Sequence, residues 1–373
     1  MVLEFRRQPG HELQRLGRLE YIMTFFNKKT DVIDIELTPY GRYLLSIGKL
    51  KPKYYDFTDD DIRPAEFQEY GKLNDIIDTG RLLTRRSEFV EVSCPACGSN
   101  DYRLCFYKNS LRYVDCTCCE TMYISPRPSP EVLSWFYSGS VTYAYWNECI
   151  FPASEEKRKE KIFIPRVDRT LKLCDKYGVE TDSLLEVGCA FGTYCMEMKS
   201  RNRFKQVIGL EATPELVKTC REKGIEVIEG LIENITFPKE EMFDVIANFE
   251  VIEHLFSPKE FIFQCYNLLK PGGLFLVTCP NVKGFEFQVL GEKCNSIDHE
   301  HLNYFNLNSL ELLLIKQGFH VKEALTPGRL DVELVRNKVL SGEFKLQGQP
   351  FLDEIMVNKW EDLGTLFQDF LSI

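Results

Sequence analysis

The chain has 373 residues, of which 44% are hydrophobic and 13% aromatic, enough for two or three domains with a sizeable core. Its net charge of −10 disfavours nucleic-acid partners, because such binding depends on clustered Lys and Arg side chains. No apolar run approaches the roughly 18 residues of a membrane span, and residues 1–10 lack a signal-peptide core, so we expect a cytoplasmic protein without a membrane partner.

Residues 1–88 are charged and have no long periodic pattern, which is typical of a small appendage. Met23 would serve as an alternative start. Within residues 23–62, the segments 25–29, 37–42 and 51–57 are similar to N-terminal parts of small tailed-phage virion-associated proteins, although they contain no chemical motif. The other interpretation of this region is a short β-hairpin or arm that docks on the rest of the chain.

Two C-x-x-C pairs follow within residues 89–125. In an intracellular chain, the 14 cysteines are expected to serve as thiols and metal ligands, not as disulfides. The 18 residues 98–115 separate the two pairs, which is the spacing of a zinc ribbon with the ligands Cys94, Cys97, Cys116 and Cys119. Four thiolates leave no open coordination position, so we predict a structural Zn²⁺ ion. The alternative is four buried thiols without a metal.

The next part of the chain begins with prolines that mark an aromatic connector over residues 126–165. From residue 166 to residue 330, strand-like and helix-like segments alternate. Helices of 10 to 15 residues between strands predict crossover connections and a buried parallel sheet, which is the α/β class. The predicted strands cover residues 183–187, 207–210, 225–228, 243–248 and 274–278, and residues 331–373 form a C-terminal tail.

The first of these strands runs into a glycine turn at residues 184–192. Gly188 and Gly192 allow a ligand to approach the backbone at the start of a helix, and Glu211 at the end of the second strand can accept two ribose hydrogen bonds. These features alone suit NAD equally well. However, Thr193 interrupts the dinucleotide pattern, and Glu186 would meet an amino group better than a pyrophosphate. A methionine-bearing nucleoside is therefore favoured.

Four further segments complete a recognisable order, at residues 229–233, 243–254, 269–273 and 318–319. With the glycine turn, they make the chain resemble class I S-adenosylmethionine-dependent methyltransferases. The resemblance implies a Rossmann-like, seven-stranded, mostly parallel sheet with helices on both faces. It also implies that S-adenosylmethionine is bound by Glu186, Gly188, Ala190, Gly192, Glu211, Leu231, Ile232 and Glu250.

A base near the transferable methyl group is expected in residues 297–305, after the fifth strand. Methyl transfer from a sulfonium needs alignment of the acceptor and removal of its proton. We predict His301 as the general base, because imidazole titrates near neutral pH, with Glu300 and Tyr304 beside it. The alternative is that this histidine caps a helix beginning near Asn308. His254 is assigned mainly a structural role.

The order of ribbon, aromatic connector, Rossmann-like domain and Glu300–His301 pair resembles zinc-containing methyltransferases of sugar-nucleotide and surface-polysaccharide pathways, over residues 94–335. This resemblance implies a nucleotide-linked or glycan sugar as acceptor, deprotonated by His301 with support from Glu300. The short tail leaves O-methylation as a rival of C-methylation. A phage assembly or binding protein with a retained methyltransferase fold is the second hypothesis, and RNA or protein methylation is the third.

Overall fold

The computed structural model describes residues 3–9, 31–37, 64–235, 237, 242–326 and 331–371. The chain divides into two compact units, Met1–Ile76 and Ile77–Ile373. In the first unit, strand β1 (Leu3–Pro9) pairs antiparallel with β2 (Asp31–Leu37). The phage-like segments 25–29 and 51–57, and residues 38–42 of the third, lie outside the described residues. Helix α1 (Pro64–Thr84) contains the boundary between the units.

In the second unit, the cysteine-bearing segment forms short antiparallel sheets. Strands β4 (Tyr102–Lys108), β5 (Leu111–Cys116) and β6 (Met122–Ile124) share a sheet with a strand from much later in the chain, β13 (Asn303–Tyr304), in the order β13-β6-β5-β4. The segment 298–305 is therefore tied to the ribbon by backbone hydrogen bonds. The ribbon strands are β3 (Phe89–Val90), β4 (Tyr102–Lys108), β5 (Leu111–Cys116), β6 (Met122–Ile124) and β7 (Arg127–Pro128), and β3 pairs with β7.

The aromatic connector is helical. Ser129 and Ser140 each accept a backbone hydrogen bond at the start of a helix, and Gly178 ends the last one in a left-handed conformation. Between Val141 and Tyr177 the helix is nearly continuous, with π-helical turns at Trp146–Ile150 and Lys159–Phe163. Its α-helical parts are α2 (Pro130–Tyr137), α3 (Val141–Tyr145), α4 (Phe151–Arg158) and α5 (Ile164–Tyr177).

A parallel sheet of five strands lies at the centre of the second unit, which confirms the α/β class. The strands β8 (Ser183–Val187), β9 (Gln206–Glu211), β10 (Glu226–Glu229), β11 (Phe243–Phe249) and β12 (Leu269–Thr278) lie in the order β10-β9-β8-β11-β12. All of β8 is buried, as expected for a strand covered on both faces. The described residues provide five parallel strands in this sheet, two fewer than the resemblance implied.

Helices cover the sheet and continue into the C-terminal tail. They are α6 (Thr193–Ser200), α7 (Pro214–Glu222), α8 (Pro258–Leu268), α9 (Phe285–Leu290), α10 (Leu307–Lys316), α11 (Asp331–Leu340), α12 (Pro350–Asp353) and α13 (Thr365–Leu371). Val332 and Val335 of the tail share a buried cluster with Tyr113 of the ribbon and with Tyr304. None of the helices in the described ranges has the length and apolar character needed to cross a bilayer.

Candidate functional site

The turn after β8 is shaped by three residues with positive φ: Gly188 (+76°), Ala190 (+45°) and Gly192 (+75°). A Cβ atom on Gly188 would lie 2.3 Å from Val251 Cγ2, and one on Gly192 would lie 2.1 Å from Ile225 Cδ1. Glycine is therefore required at both positions by the backbone conformation and by close packing. The turn delivers the chain into α6 and leaves backbone N–H groups at the helix start.

A cavity of about 270 Å³ opens at the carboxyl ends of β8, β9 and β11. This edge is where parallel α/β sheets bind ligands. Seven of the eight residues predicted to bind the cofactor line the cavity, namely Glu186, Gly188, Ala190, Glu211, Leu231, Ile232 and Glu250. The eighth, Gly192, lies outside the lining and packs against Ile225 as α6 begins.

Glu211 is held in the cavity by two backbone N–H groups. Ala190 N donates to its Oε2 atom and Thr213 N to its Oε1 atom, each at 2.9 Å. Burial raises the pKa of this carboxyl group. Each oxygen keeps a second lone pair, so the fixed carboxylate can accept two hydroxyl hydrogen bonds.

Glu186 is buried, and the Cys195 thiol, a weak donor, lies 3.0 Å from its Oε2 atom. Burial raises the pKa of Glu186 to about 8, although nearby Arg166 acts in the opposite direction. A positively charged group entering the cavity would favour the ionised form of this carboxyl group. The ammonium group of a methionine moiety fits this chemistry.

Glu233 also lines the cavity, and sequence reasoning missed it. Its Oε2 atom is buried, and within the described ranges no hydrogen-bond donor reaches it. Glu233 supplies a carboxylate two residues after Leu231, next to buried Ile232. The neighbouring surface is apolar, so this end of the cavity suits a flat nitrogenous ring with an exocyclic amino group.

The connector supplies a cavity wall that the sequence analysis did not assign. Tyr137, Tyr143, Phe151 and Phe163 all line the cavity. Arg166, from the helix that follows Phe163, also lines the cavity and forms an ion pair with Glu250 at 3.2 Å. The only sequence signal for this wall was the high aromatic content of residues 126–165, which also fits a packing role.

The three predicted catalytic residues lie close together, and both Glu300 and His301 contact residues of the cavity lining. Its Oε2 atom accepts a hydrogen bond from Tyr143 Oη at 2.8 Å. The His301 ring lies 4.5 Å from the ring of His254, which lines the cavity. Tyr304 is 1% exposed, and its hydroxyl group accepts a hydrogen bond from Asp298 N at 3.2 Å.

His301 is oriented by its own loop. Its backbone N donates to Asp298 Oδ1 at 2.9 Å, and its Nδ1 atom lies 2.7 Å from the Ser296 carbonyl oxygen. The carbonyl can only accept, so Nδ1 carries the proton and Nε2 keeps a lone pair in the neutral ring. Helix α10 is capped by Asn306, so the alternative in which His301 caps this helix is wrong.

Arg127 connects the ribbon to this loop and was not identified from the sequence. It is 1% exposed, and its Nη1 atom donates to Asn303 Oδ1 at 2.9 Å and to the Phe256 carbonyl at 3.0 Å. Burial lowers the pKa of Arg127 to about 9. Its hydrogen bonds fix β13 against the end of the ribbon.

The four predicted metal ligands form one cluster. Cys94 Sγ lies 3.4 Å from Cys119 Sγ, and Cys97 Sγ lies 3.5 Å from Cys116 Sγ. All four sulfur atoms are within 4.8 Å of one another, close to the about 3.8 Å edge of a tetrahedron with Zn–S bonds of about 2.3 Å. Cys118 is exposed and donates to Ser99 instead. The cluster can hold one tetrahedral ion.

Comparison with known proteins finds a family match for the central part of the chain. Residues 155–324 match the family model described as Methyltransferase domain. A ubiquinone biosynthesis O-methyltransferase of Maricaulis maris is 31% identical over 133 residues, which cover 32% of this chain and 52% of the relative. A probable S-adenosylmethionine-dependent methyltransferase of Mycolicibacterium smegmatis is 32% identical over 145 residues, which cover 38% of this chain and 53% of the relative.

The chain therefore spans about half the length of these curated relatives. Among solved structures, a putative methyltransferase in complex with the Haloferax volcanii Trm112 methyltransferase activator matches with a TM-score of 0.40. It is 16% identical, and the match covers 48% of this chain and 77% of that chain.

Proposed function

We propose that the protein uses S-adenosylmethionine to methylate a small-molecule acceptor, a nucleotide-linked or glycan sugar, because residues 155–324 match the methyltransferase-domain model. The observation that carries the proposal is the cavity in which Glu186 and Glu211 lie on adjacent strands beside a glycine turn. S-adenosylmethionine bound there supplies a methyl group on a positively charged sulfur.

In this proposal, each of three carboxylates binds a different part of the cofactor. Glu186 compensates the ammonium group, Glu211 accepts the ribose hydroxyls, and Glu233 accepts the exocyclic amino group of adenine. The support for Glu233 is its buried Oε2 atom, which no donor reaches in the described part of the chain. Removal of any one carboxylate should weaken binding without opening the sheet, because Glu186 and Glu211 lie near strand ends and Glu233 lies in a short helical turn.

The acceptor side is assigned to the wall formed by Tyr137, Tyr143 and His254, with Glu300 and His301 behind it. Aromatic faces and carboxylate acceptors suit a ligand that is rich in hydroxyl groups. His301 takes the acceptor proton through Nε2, while Glu300 holds Tyr143 in place. Tyr304 acts as a positioning residue, because its hydroxyl group contacts the Asp298 backbone and not the cavity.

O-methylation is the version of this chemistry that we favour. Curated relatives include O-methyltransferases of ubiquinone biosynthesis, whose acceptors are oxygen atoms by name. Proton loss from a sugar hydroxyl, or from a carbon next to a keto group, would use the same base. The four-cysteine cluster is proposed to bind a structural Zn²⁺ ion, supported by its sulfur–sulfur distances.

The test combines cofactor binding with turnover. Isothermal titration with S-adenosylmethionine should give one site per chain, and Glu211→Ala should weaken it by at least about tenfold, since two hydrogen bonds are lost. Glu229→Ala is the matched control, because this exposed carboxylate ends the neighbouring strand outside the cavity lining. Equal affinity of both variants would contradict the site.

Turnover is then measured over a panel of dTDP-, GDP- and UDP-linked sugars and keto-sugars by consumption of the methyl donor. Methyl transfer to one sugar class, at a rate that His301→Gln lowers strongly, supports the acceptor assignment. Cofactor binding without methylation of any sugar in the panel would contradict the sugar acceptor while leaving the methyltransferase domain intact.

A further inference from the structure

We propose that Glu253, His254 and His301 bind a divalent metal ion at the acceptor side of the cavity, separate from the cysteine cluster. One ligand atom from each of the three side chains lies within 4.8 Å of the others. His254 also lines the cavity. An ion bound there would therefore be next to the space in which the acceptor is methylated.

Glu253 is the strongest indication of a missing positive charge. It lies in the helical turn Ile252–His254 after β11 and is 1% exposed. In the residues that the structure describes, no hydrogen-bond partner reaches either of its carboxylate oxygens or the Nδ1 atom of His254. A buried carboxylate without any donor is unfavourable unless it binds a proton or a cation. The two imidazole rings beside it make a cation the better fit.

Both histidines present the nitrogen that a metal needs. His301 Nδ1 donates to the Ser296 carbonyl at 2.7 Å and lies 3.6 Å from Asp298 Oδ2, so Nε2 is left as the ligand atom. The other side of the His254 ring hydrogen bonds to the Glu300 backbone, which leaves Nδ1. Metal-binding histidines almost always donate their second ring N–H to a carbonyl or a carboxylate. This arrangement is therefore that of a preorganised site.

Two imidazoles and one carboxylate suit a divalent first-row transition metal and leave coordination positions open. This inference extends the proposed function, because the role of the ion in methyl transfer rests on that function. A sugar oxygen on an open position would lose its proton to water, because the ion lowers the pKa of a bound hydroxyl. The oxygen then bonds to the methyl carbon as the C–S bond breaks, and the electron pair of the C–S bond stays on sulfur. His301 in this refinement acts through the ion.

The ion is tested with Mn²⁺ on the full-length protein whose cysteine cluster is loaded with zinc. Manganese prefers oxygen and nitrogen ligands to thiolates, so the cysteine cluster does not compete. Electron paramagnetic resonance measures the Mn²⁺ that stays free in solution. The difference from the added amount should correspond to one bound ion per chain. Glu253→Gln and His301→Asn should each weaken binding by more than about 100-fold, the upper range for outer-shell partners. His320→Asn, at an exposed histidine, should bind as the wild type does.

Titration with S-adenosylmethionine on the same samples separates this inference from the proposed function. A Glu253→Gln variant that retains cofactor affinity and loses Mn²⁺ is folded and supports the site. Wild-type protein that binds the cofactor but no Mn²⁺, or variants that bind Mn²⁺ as tightly as the wild type, overturns the metal site alone. Mn²⁺ binding by protein that has no affinity for S-adenosylmethionine supports the metal site and removes the proposed function.

Discussion

Glu186 should make cofactor affinity depend on pH between 6 and 8. In the free protein, burial raises the pKa of Glu186 to about 8, so at pH 7 this group carries ~0.9 of a proton. The ammonium group of the bound cofactor favours the ionised carboxylate. Binding at pH 7 should therefore release about 0.9 of a proton.

The sign and size of the effect follow from this linkage. Cofactor affinity should rise with pH, because a smaller fraction of Glu186 carries a proton that binding must displace. It should level off above the pKa of Glu186. With a pKa of about 8 in the free protein and an ionised group in the complex, affinity at pH 8 should exceed that at pH 6 by about 50-fold. In free energy this difference is about 2.3 kcal/mol.

Isothermal titration at pH 6, 7 and 8, each in two buffers of different ionisation enthalpy, gives both the affinity and the number of protons released. Glu186→Gln cannot ionise and should show a flat profile with no release. Glu229→Gln, at an exposed carboxylate outside the cavity lining, should keep the wild-type profile. Wild-type affinity that differs by less than threefold between pH 6 and pH 8 would refute the reasoning.

Three further predictions concern residues that stabilise the structure around the site. Cys116→Ser should reduce bound zinc, measured by metal analysis, and lower the melting temperature. Gly192→Ala should cost about 2–4 kcal/mol in urea unfolding, through positive φ and the clash with Ile225. Asp78→Asn should cost about 1–3 kcal/mol at pH 7. Hydrogen bonds from Ser140 and Thr142 outweigh burial and lower the pKa of Asp78, so its contribution should fade below pH 3.8 in acid unfolding.

The central sheet and the cofactor edge could be predicted because their signals are local. Strand β8 was expected at residues 183–187 and is found there. The glycine turn and Glu211 follow from short patterns at strand ends, and parallel strands bring their carboxyl ends to one edge. The strand order is therefore sufficient to predict that these residues line one cavity.

Pairings between distant segments could not be predicted in this way. Asn303 lies opposite Tyr123 in the ribbon sheet, and a two-residue strand 180 positions away leaves no periodic pattern to read. The pairing of Asn303 and Tyr304 with the ribbon was therefore not expected. The contribution of the connector to the cavity was missed for a different reason, because a high aromatic content does not distinguish residues that line a binding cavity from residues of the core.

Individual site residues were missed where their significance depends on burial. Glu233 is one of 56 acidic residues in the sequence, and only the fold shows that its Oε2 atom is buried without a partner in the described ranges. Glu253 and His254 were visible as neighbours, but their convergence with His301 requires the loop after β12 to return beside β11. Such convergence is a tertiary property.

The ribbon positions the acceptor side of the site more directly than the cofactor side. His301 lies between two residues that the ribbon holds: Tyr113 Oη donates to the Asp298 carbonyl at 2.7 Å, and Arg127 binds Asn303. Glu186 and Glu211, in contrast, are placed by the parallel sheet. On the proposal that the cysteine cluster binds Zn²⁺ and orders the ribbon, zinc loss should displace His301 before it disturbs the cofactor carboxylates. Stripped protein should therefore lose methyl transfer at zinc levels that still permit S-adenosylmethionine binding, and equal loss of both would mean that the ribbon supports the whole domain.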